Sequence, residues 1–347
     1  MNIDVAENAP SAFELMIRIL SLVLFILFSA QLSAQVDKIN GLSFVAPPKP
    51  FSGNPMVQVK AVNSDWISVI PFGFTREGNP AIRYNIDRQW WGEREVGVRK
   101  TIEMAHKSGL KIMLKPQVYV PGSWPGGLDF KNNSEWEKWE TAYKNFVLDF
   151  TKIAAELNVE MICIGTEFRI SVQKRPEFWT NLIAEIKTIY DGELTYAANW
   201  DDYTTVPFWE QLDYIGVDAY FPLLNKNTPS VDALKKAWKP IRNKLWGFSK
   251  LKDKPILFTE FGYLSVDNCA YQTWELEKVV KKTPINQQAQ ANSLQALFET
   301  FWDEDFWAGG FLWKWFPEGQ GHEGYKPRDY TPQGKIAEKI VADFYLK

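Results

Sequence analysis

Pro255-Ile256-Leu257-Phe258-Thr259-Glu260-Phe261-Gly262-Tyr263 is a short apolar run that ends on a carboxylate. Ile, Leu and Phe favour a strand buried on both faces. Glu is depleted in strands and seldom fully buried unless it is paired. Gly262, two residues on, lets the chain turn sharply. The same form recurs at Met161-Ile162-Cys163-Ile164-Gly165-Thr166-Glu167-Phe168. Two strands of the buried type therefore each deliver one glutamate, Glu167 or Glu260, at the C-terminal end. In a barrel of parallel strands that end is where chemistry sits. Two facing carboxylates are the apparatus of glycoside hydrolysis.

Working outward from these two stretches, eight strands are predicted, at 41–46, 65–70, 110–115, 160–166, 194–198, 213–218, 255–259 and 309–313. Helical periodicity falls between and after them, at 93–108, 134–157, 176–190, 231–247, 286–304 and 333–345. Ser134 with Glu137 reads as a capping box, and Pro176 suits a first helical position. Strand alternating with helix predicts a parallel sheet, and eight units predict closure. The fold class is α/β: a single (β/α)8 TIM barrel preceded by a signal peptide. No repeat, low-complexity tract or linker divides the chain. Its 347 residues suit one such barrel, typically about 250 residues plus insertions.

Residues 16–34 carry one positive charge, then an apolar run, then small residues up to Ala34. That is the pattern of a secretory signal, and it is too short for a comfortable membrane span. The expected division is 1–34 as N-terminal extension and signal, with Met16 an alternative start, and 35–347 as the catalytic domain. The mature protein is expected to be secreted or periplasmic, monomeric and without stable membrane insertion. A net charge of −3 gives no reason to expect nucleic acid. Cys163 and Cys269 make no disulfide scaffold, and Cys163, mid-strand, reads as a buried small hydrophobe. With only His106 and His322, a His-built zinc site is not expected, and neither a metal nor a cofactor is called for. The 16 Trp exceed what a core needs, and Trp is a flat platform for sugar rings.

Ile-Gly-Thr-Glu-Phe at 164–168, Tyr-Ile-Gly-Val-Asp-Ala-Tyr-Phe-Pro at 214–222 and Phe-Thr-Glu-Phe-Gly-Tyr at 258–263 resemble clan A of the retaining glycoside hydrolases. Within the clan they are most similar to family 113, the β-mannanases. The resemblance runs from about residue 40 to the C-terminus. It implies that Glu167, after strand four, is the acid/base and Glu260, after strand seven, the nucleophile. It also implies that Tyr220 hydrogen-bonds the nucleophile and that Trp313 floors the sugar at the cleavage site. One residue departs from the clan: where most members have Asn before the acid/base, bonding the sugar 2-hydroxyl, this chain has Thr166. An axial 2-hydroxyl, as in mannose, is compatible with that change.

Position alone adds weaker candidates for substrate binding. Asn199 and Trp200 end strand five, Lys115 and Gln117 flank Pro116 after strand three, and Trp315 is either core or a neighbouring subsite. Phe44, Trp90, Trp91 and Trp124 lie in early rim loops; Asp218 either orients its neighbours or binds sugar. Loop 264–285 is long enough to shape a cleft. The substrate implied is a β-linked oligo- or polysaccharide, most simply a β-1,4-mannan. Another β-glycan specificity, exo-β-mannosidase action, or a sugar-binding barrel without chemistry are the alternatives.

Overall fold

The computed structural model describes residues 38–318 and 326–347. The expected signal, Met16 and His322 lie outside the described residues. Eight parallel strands close a barrel in sequential order: β1 Ile39–Phe44, β2 Trp66–Val69, β3 Lys111–Leu114, β4 Met161–Thr166, β5 Glu193–Asn199, β6 Ile215–Asp218, β7 Ile256–Phe261 and β8 Trp307–Trp315. The α/β barrel expected from the sequence is thus present, with strand ends shifted by a residue or two. Helices lie between the strands, the longest being Asn133–Glu156 and Val231–Lys252. Pro176 opens the helix Pro176–Ile186, at the position expected. The cap of Asn133–Glu156 is corrected: Asn132, not Ser134, accepts the backbone N–H of Glu135, at 3.0 Å. Asn is as good a cap as Ser, and starting one residue earlier leaves Ser134 inside the helix.

A first apolar layer packs strands against helices. A second cluster, Ile39, Trp66, Met113, Met161, Cys163, Ala197, Leu257 and Phe311, is drawn only from strands and fills the barrel. Side chains two apart on a strand share a face. The next inward residues after this layer are therefore Lys115 after Met113, Asn199 after Ala197 and, on β6, Asp218 after Gly216. The barrel interior turns polar toward its C-terminal mouth by the same alternation that makes it apolar below.

Glu260 reaches that mouth by broken alternation, and the strand before Glu167 is irregular as well. Gly216 pairs with Leu257 and Asp218 with Glu260, so β7 carries one residue more than β6 over this stretch. Cys163 pairs with Thr195 and Thr166 with Ala197, so β4 carries one more than β5. Each extra residue is a bulge, which re-aims the side chains that follow. One lies directly before each glutamate.

β2 and β3 also continue past Pro71 and Pro116 as a parallel pair, Phe72–Phe74 with Gln117–Tyr119, not anticipated from sequence. Pro lacks the N–H that a ladder needs, so the strand reading stops there. The chain nonetheless stays in line, since Gln117 N–H donates to Pro71 C=O at 3.0 Å.

Gly262 closes the turn after β7. A Cβ there would lie 2.4 Å from the Trp313 carbonyl oxygen, a backbone atom. Replacing Gly262 by Ala is expected to lower the unfolding free energy by about 1–3 kcal/mol, the usual cost of overpacking. Chemical denaturation would show it; undiminished stability would mean that Trp313 moves aside freely.

Candidate active site

Glu260 is bound on both oxygens. Oε1 accepts Lys115 Nζ at 2.5 Å and Gln117 Nε2 at 2.8 Å; Oε2 accepts the Tyr220 hydroxyl at 2.9 Å. Three donors suit an acceptor-only carboxylate. Oε2, with one donor against two, keeps the freer lone pair.

Lys115 is wholly buried, so it is neither solvated nor turned toward sugar hydroxyls. Its ammonium also lies 3.6 Å from Asp218 Oδ1, which accepts the Thr259 hydroxyl at 2.7 Å. Burial works against the ammonium, but Asp218 and then Glu260 outweigh it and hold Lys115 above the usual lysine range. Burial first, and then the charge of Glu260, push the Asp218 carboxyl well above its usual range, with Lys115 opposing. One ammonium thus serves two carboxyls. At 1% exposure Asp218 has no surface to offer a sugar; it orients Lys115 instead.

Glu167 sits differently. It is half-buried and holds a left-handed backbone, φ +56°, rare for a side chain other than glycine. Its N–H donates to Ala197 C=O at 2.8 Å, and the next N–H, of Phe168, donates to the Tyr196 hydroxyl at 2.7 Å. The turn is pinned from both sides. Among the described residues no ammonium bonds the Glu167 carboxyl; the Trp124 indole N–H donates to its Oε2. Burial pushes Glu167 up to about 7, helped by the charges of Glu260 and Asp202 and opposed by Trp124 and Lys115. Two carboxyls held in such unlike surroundings can take unlike roles, one ionised and one holding a proton near neutral pH.

The remaining expected residues divide. Trp313 is half-buried at the end of β8, with Lys314 Nζ 5.9 Å from its ring centre. Trp315, in contrast, is 1% exposed and belongs to the core, leaving no ring face for a sugar. Phe44 is likewise core. Asn199 is half-buried, and its Oδ1 has no partner within the described protein; the Thr166 hydroxyl is in the same condition. Both follow the bulge region beside Glu167. Trp200 stacks on Trp274 at 5.7 Å, which occupies part of its surface. Trp274 belongs to loop 264–285, so that loop packs onto the β5 end of the mouth. The loop's Thr273 also bonds Tyr330, whose ring lies 6.2 Å from that of Tyr220. Trp91 packs edge-on against Phe51, and Trp90 is exposed.

Trp124 was only a weak candidate in sequence, and nothing in its loop announces a contact 43 residues on. The Trp-Pro-Gly-Gly run at 124–127 marks a tight turn but not its target. Both cysteines are free and buried, and burial pushes each thiol up to about 12, far from a reactive thiolate. Among the described residues no group of three or more His, Cys, Asp or Glu is placed to hold a metal. No helix among them is long and apolar enough to cross a membrane.

A model of Glycoside Hydrolase Family 113 matches residues 49–345. The chain belongs to Glycoside Hydrolase Family 113. Among solved structures, this hydrolase is similar to a GH113 beta-mannanase from Alicyclobacillus acidocaldarius in complex with ManMIm. Identity is 25%, coverage 89% of this chain and 97% of that one, and the TM-score 0.77. A GH113 beta-1,4-mannanase complex is 23% identical over 90% and 99% of the two chains, with a TM-score of 0.76. A Ruminococcus gnavus beta-glucuronidase shares the fold at 14% identity, covering 89% of this chain and 50% of that one, with a TM-score of 0.59. A comparison with curated proteins finds no match. The family 113 match makes the chain a glycoside hydrolase, and it covers both glutamate strands.

Proposed function

We propose that this chain is a retaining endo-β-1,4-mannanase that works by double displacement, with Glu260 as nucleophile and Glu167 as acid/base, exported as residues 35–347. The observation that carries the reading is the contrast between the two glutamates. One is gripped by an ammonium, an amide and a phenol; the other is desolvated and raised to about 7. The family supports β-mannan as substrate, as do neighbours that are themselves β-mannanases.

In the first step Glu260 Oε2 bonds to the anomeric carbon while the glycosidic C–O bond breaks. The departing oxygen takes the proton of Glu167. In the second step Glu167, now a carboxylate, takes a proton from water, whose oxygen displaces Glu260. Lys115 and Gln117 stay on Oε1 throughout and hold the carboxyl in one orientation. Trp313, Asn199, Trp200 and Thr166 are the residues at the mouth left to meet the sugar.

The test is product analysis with mannan, β-glucan and xylan. Mixed short manno-oligosaccharides should appear early, with the anomeric configuration of the substrate. Replacing Glu167 by Ala should lower mannan hydrolysis by about 10²–10⁴-fold, the scale of general acid catalysis. It should spare an aryl mannoside whose leaving group needs no proton. Action on β-glucan without mannan, monosaccharide as sole product, or inverted products would each defeat a part of the reading.

A further inference from the structure

The acid/base reading of Glu167 leaves the side-chain donor on its Oε2 unexplained. Trp124 stands in the loop before the helix Asn133–Glu156, half-buried, and its indole N–H donates to Glu167 Oε2. The ring is not an open platform. The Arg169 guanidinium lies over it, 4.8 Å from the ring centre. A Cβ on Gly126 would fall 2.3–2.5 Å from three atoms of its six-membered ring, so only glycine lets the backbone lie against it there. Arg169 is itself anchored: Nε donates to Asp202 Oδ2 at 2.8 Å, and its Nη2 bonds Asp201.

We propose that Trp124, clamped by Arg169 and Gly126, is a positioning residue that aims the Glu167 carboxyl and favours its ionised form. The inference rests on the reading of Glu167 as acid/base and adds the device that sets it. An indole N–H is a donor only. It leaves the catalytic proton one place to sit, Oε1, because Oε2 faces a donor that cannot turn away. When Glu167 has given that proton up, the same N–H stabilises the carboxylate that must next act as base. The charged groups that act on Glu167 are Glu260, Asp202 and Asp218, which favour the protonated form, and Lys115 and Arg169, which favour the ionised one. Burial dominates them, and Trp124 is the first counterweight.

Removing a donor to the charged form raises the affinity of Glu167 for its proton. The alkaline limb of kcat/KM marks loss of that proton in the free enzyme, so it should move to higher pH. Trp124→Phe keeps a ring and deletes the N–H. From a wild-type limb near the raised Glu167 value of about 7, the limb should rise by about one unit, the scale of a hydrogen bond to a charged group. At neutral pH the larger protonated fraction is outweighed by the lost aim of the carboxyl, so kcat/KM for mannotetraose, a substrate with a poor leaving group, should fall about tenfold. Dinitrophenyl mannoside, which needs no proton, should change less than about twofold.

Arg169→Gln carries the same test should the Phe variant not fold. It loosens Trp124, removes a positive charge that acts on Glu167 and releases the charge of Asp202, and all three effects move the limb upward. An unmoved limb in both variants, or equal losses on both substrates, would show a merely structural role and overturn the proposal. Glu167→Ala separates the two readings. If it loses activity on mannotetraose alone while Trp124→Phe leaves the limb in place, only the role of Trp124 fails. If it hydrolyses both substrates as the wild type does, the acid/base reading fails and takes this inference with it.

Discussion

Replacing Glu260 by Gln is expected to lower turnover of mannan by roughly four orders of magnitude or more, the scale seen when a covalent nucleophile is removed. The substitution is gentle in shape. The amide oxygen can keep Lys115 Nζ and the Gln117 NH2, both donors, and the new NH2 can donate to the Tyr220 hydroxyl, which also accepts. Binding of a manno-oligosaccharide should therefore survive, and calorimetry would measure it beside the rate. The split matters because a fold defect would lower both. In the wild type a slow-turnover fluorosugar should label Glu260, found by mass spectrometry of the digest. A label elsewhere, or full activity in the Gln variant, would remove Glu260 from the mechanism.

That assignment was open to the sequence because of what parallel strands demand. Each is covered on both faces, so each reads as an almost unbroken apolar run. A charge at the end of such a run stands out, as Glu167 and Glu260 do. The barrel was legible for the same reason: eight runs, spaced by helical periods, leave few other arrangements. What could not be read was orientation. Counting by twos along β7 from the interior residue Leu257 predicts Thr259 inward and Glu260 outward. The extra residue on β7 relative to β6 breaks that count and pairs Glu260 with Asp218. A bulge depends on both strands at once, so one strand's sequence does not reveal it.

The same limit explains Lys115, Trp124 and Trp315. Lys after an apolar strand suggests a rim cation, yet Pro116 ends only the ladder and not the direction of the chain. Lys115 thus remains inside with two carboxyls. Trp313 and Trp315 are the same residue type two positions apart. Packing alone decides that the second is sealed into the core and the first keeps exposed surface. Trp124 owes its partner to a loop whose course is fixed by Gly126 and Arg169, and both contacts are non-local or conformational. On the proposed mechanism, the residues legible in sequence carry the reaction, and those it obscured hold them in place.

Lys115 is the residue on which that holding most depends, and its replacement by Met should be the most damaging to stability. Met is of similar length and fills the space with apolar atoms. It leaves Asp218 and Glu260 buried, at 1% and 7% exposure, with no cation between them. Removing one partner of a buried ionic cluster typically costs about 3–5 kcal/mol, because the charge left behind is uncompensated. Gln117, Tyr220 and Thr259 still donate, so the loss should not exceed that range. The deficit should also depend on pH. Asp218 already sits well above the usual carboxylate range, through burial and the charge of Glu260, with Lys115 as the opposing influence. Without Lys115 it moves higher still. A carboxyl raised in the folded state costs stability as pH climbs past its unfolded value, and the cost grows until the folded value is reached. Compared with the wild type, the Lys115→Met deficit should therefore be smallest at about pH 4, where Asp218 holds its proton in both folded proteins, and should grow toward alkaline pH once the raised wild-type value of Asp218 is passed. Denaturant unfolding of both proteins across that span measures the difference. A deficit that is constant with pH would mean that Lys115 serves packing rather than charge, and a deficit that shrinks as pH rises would reverse the electrostatics assigned to the barrel mouth.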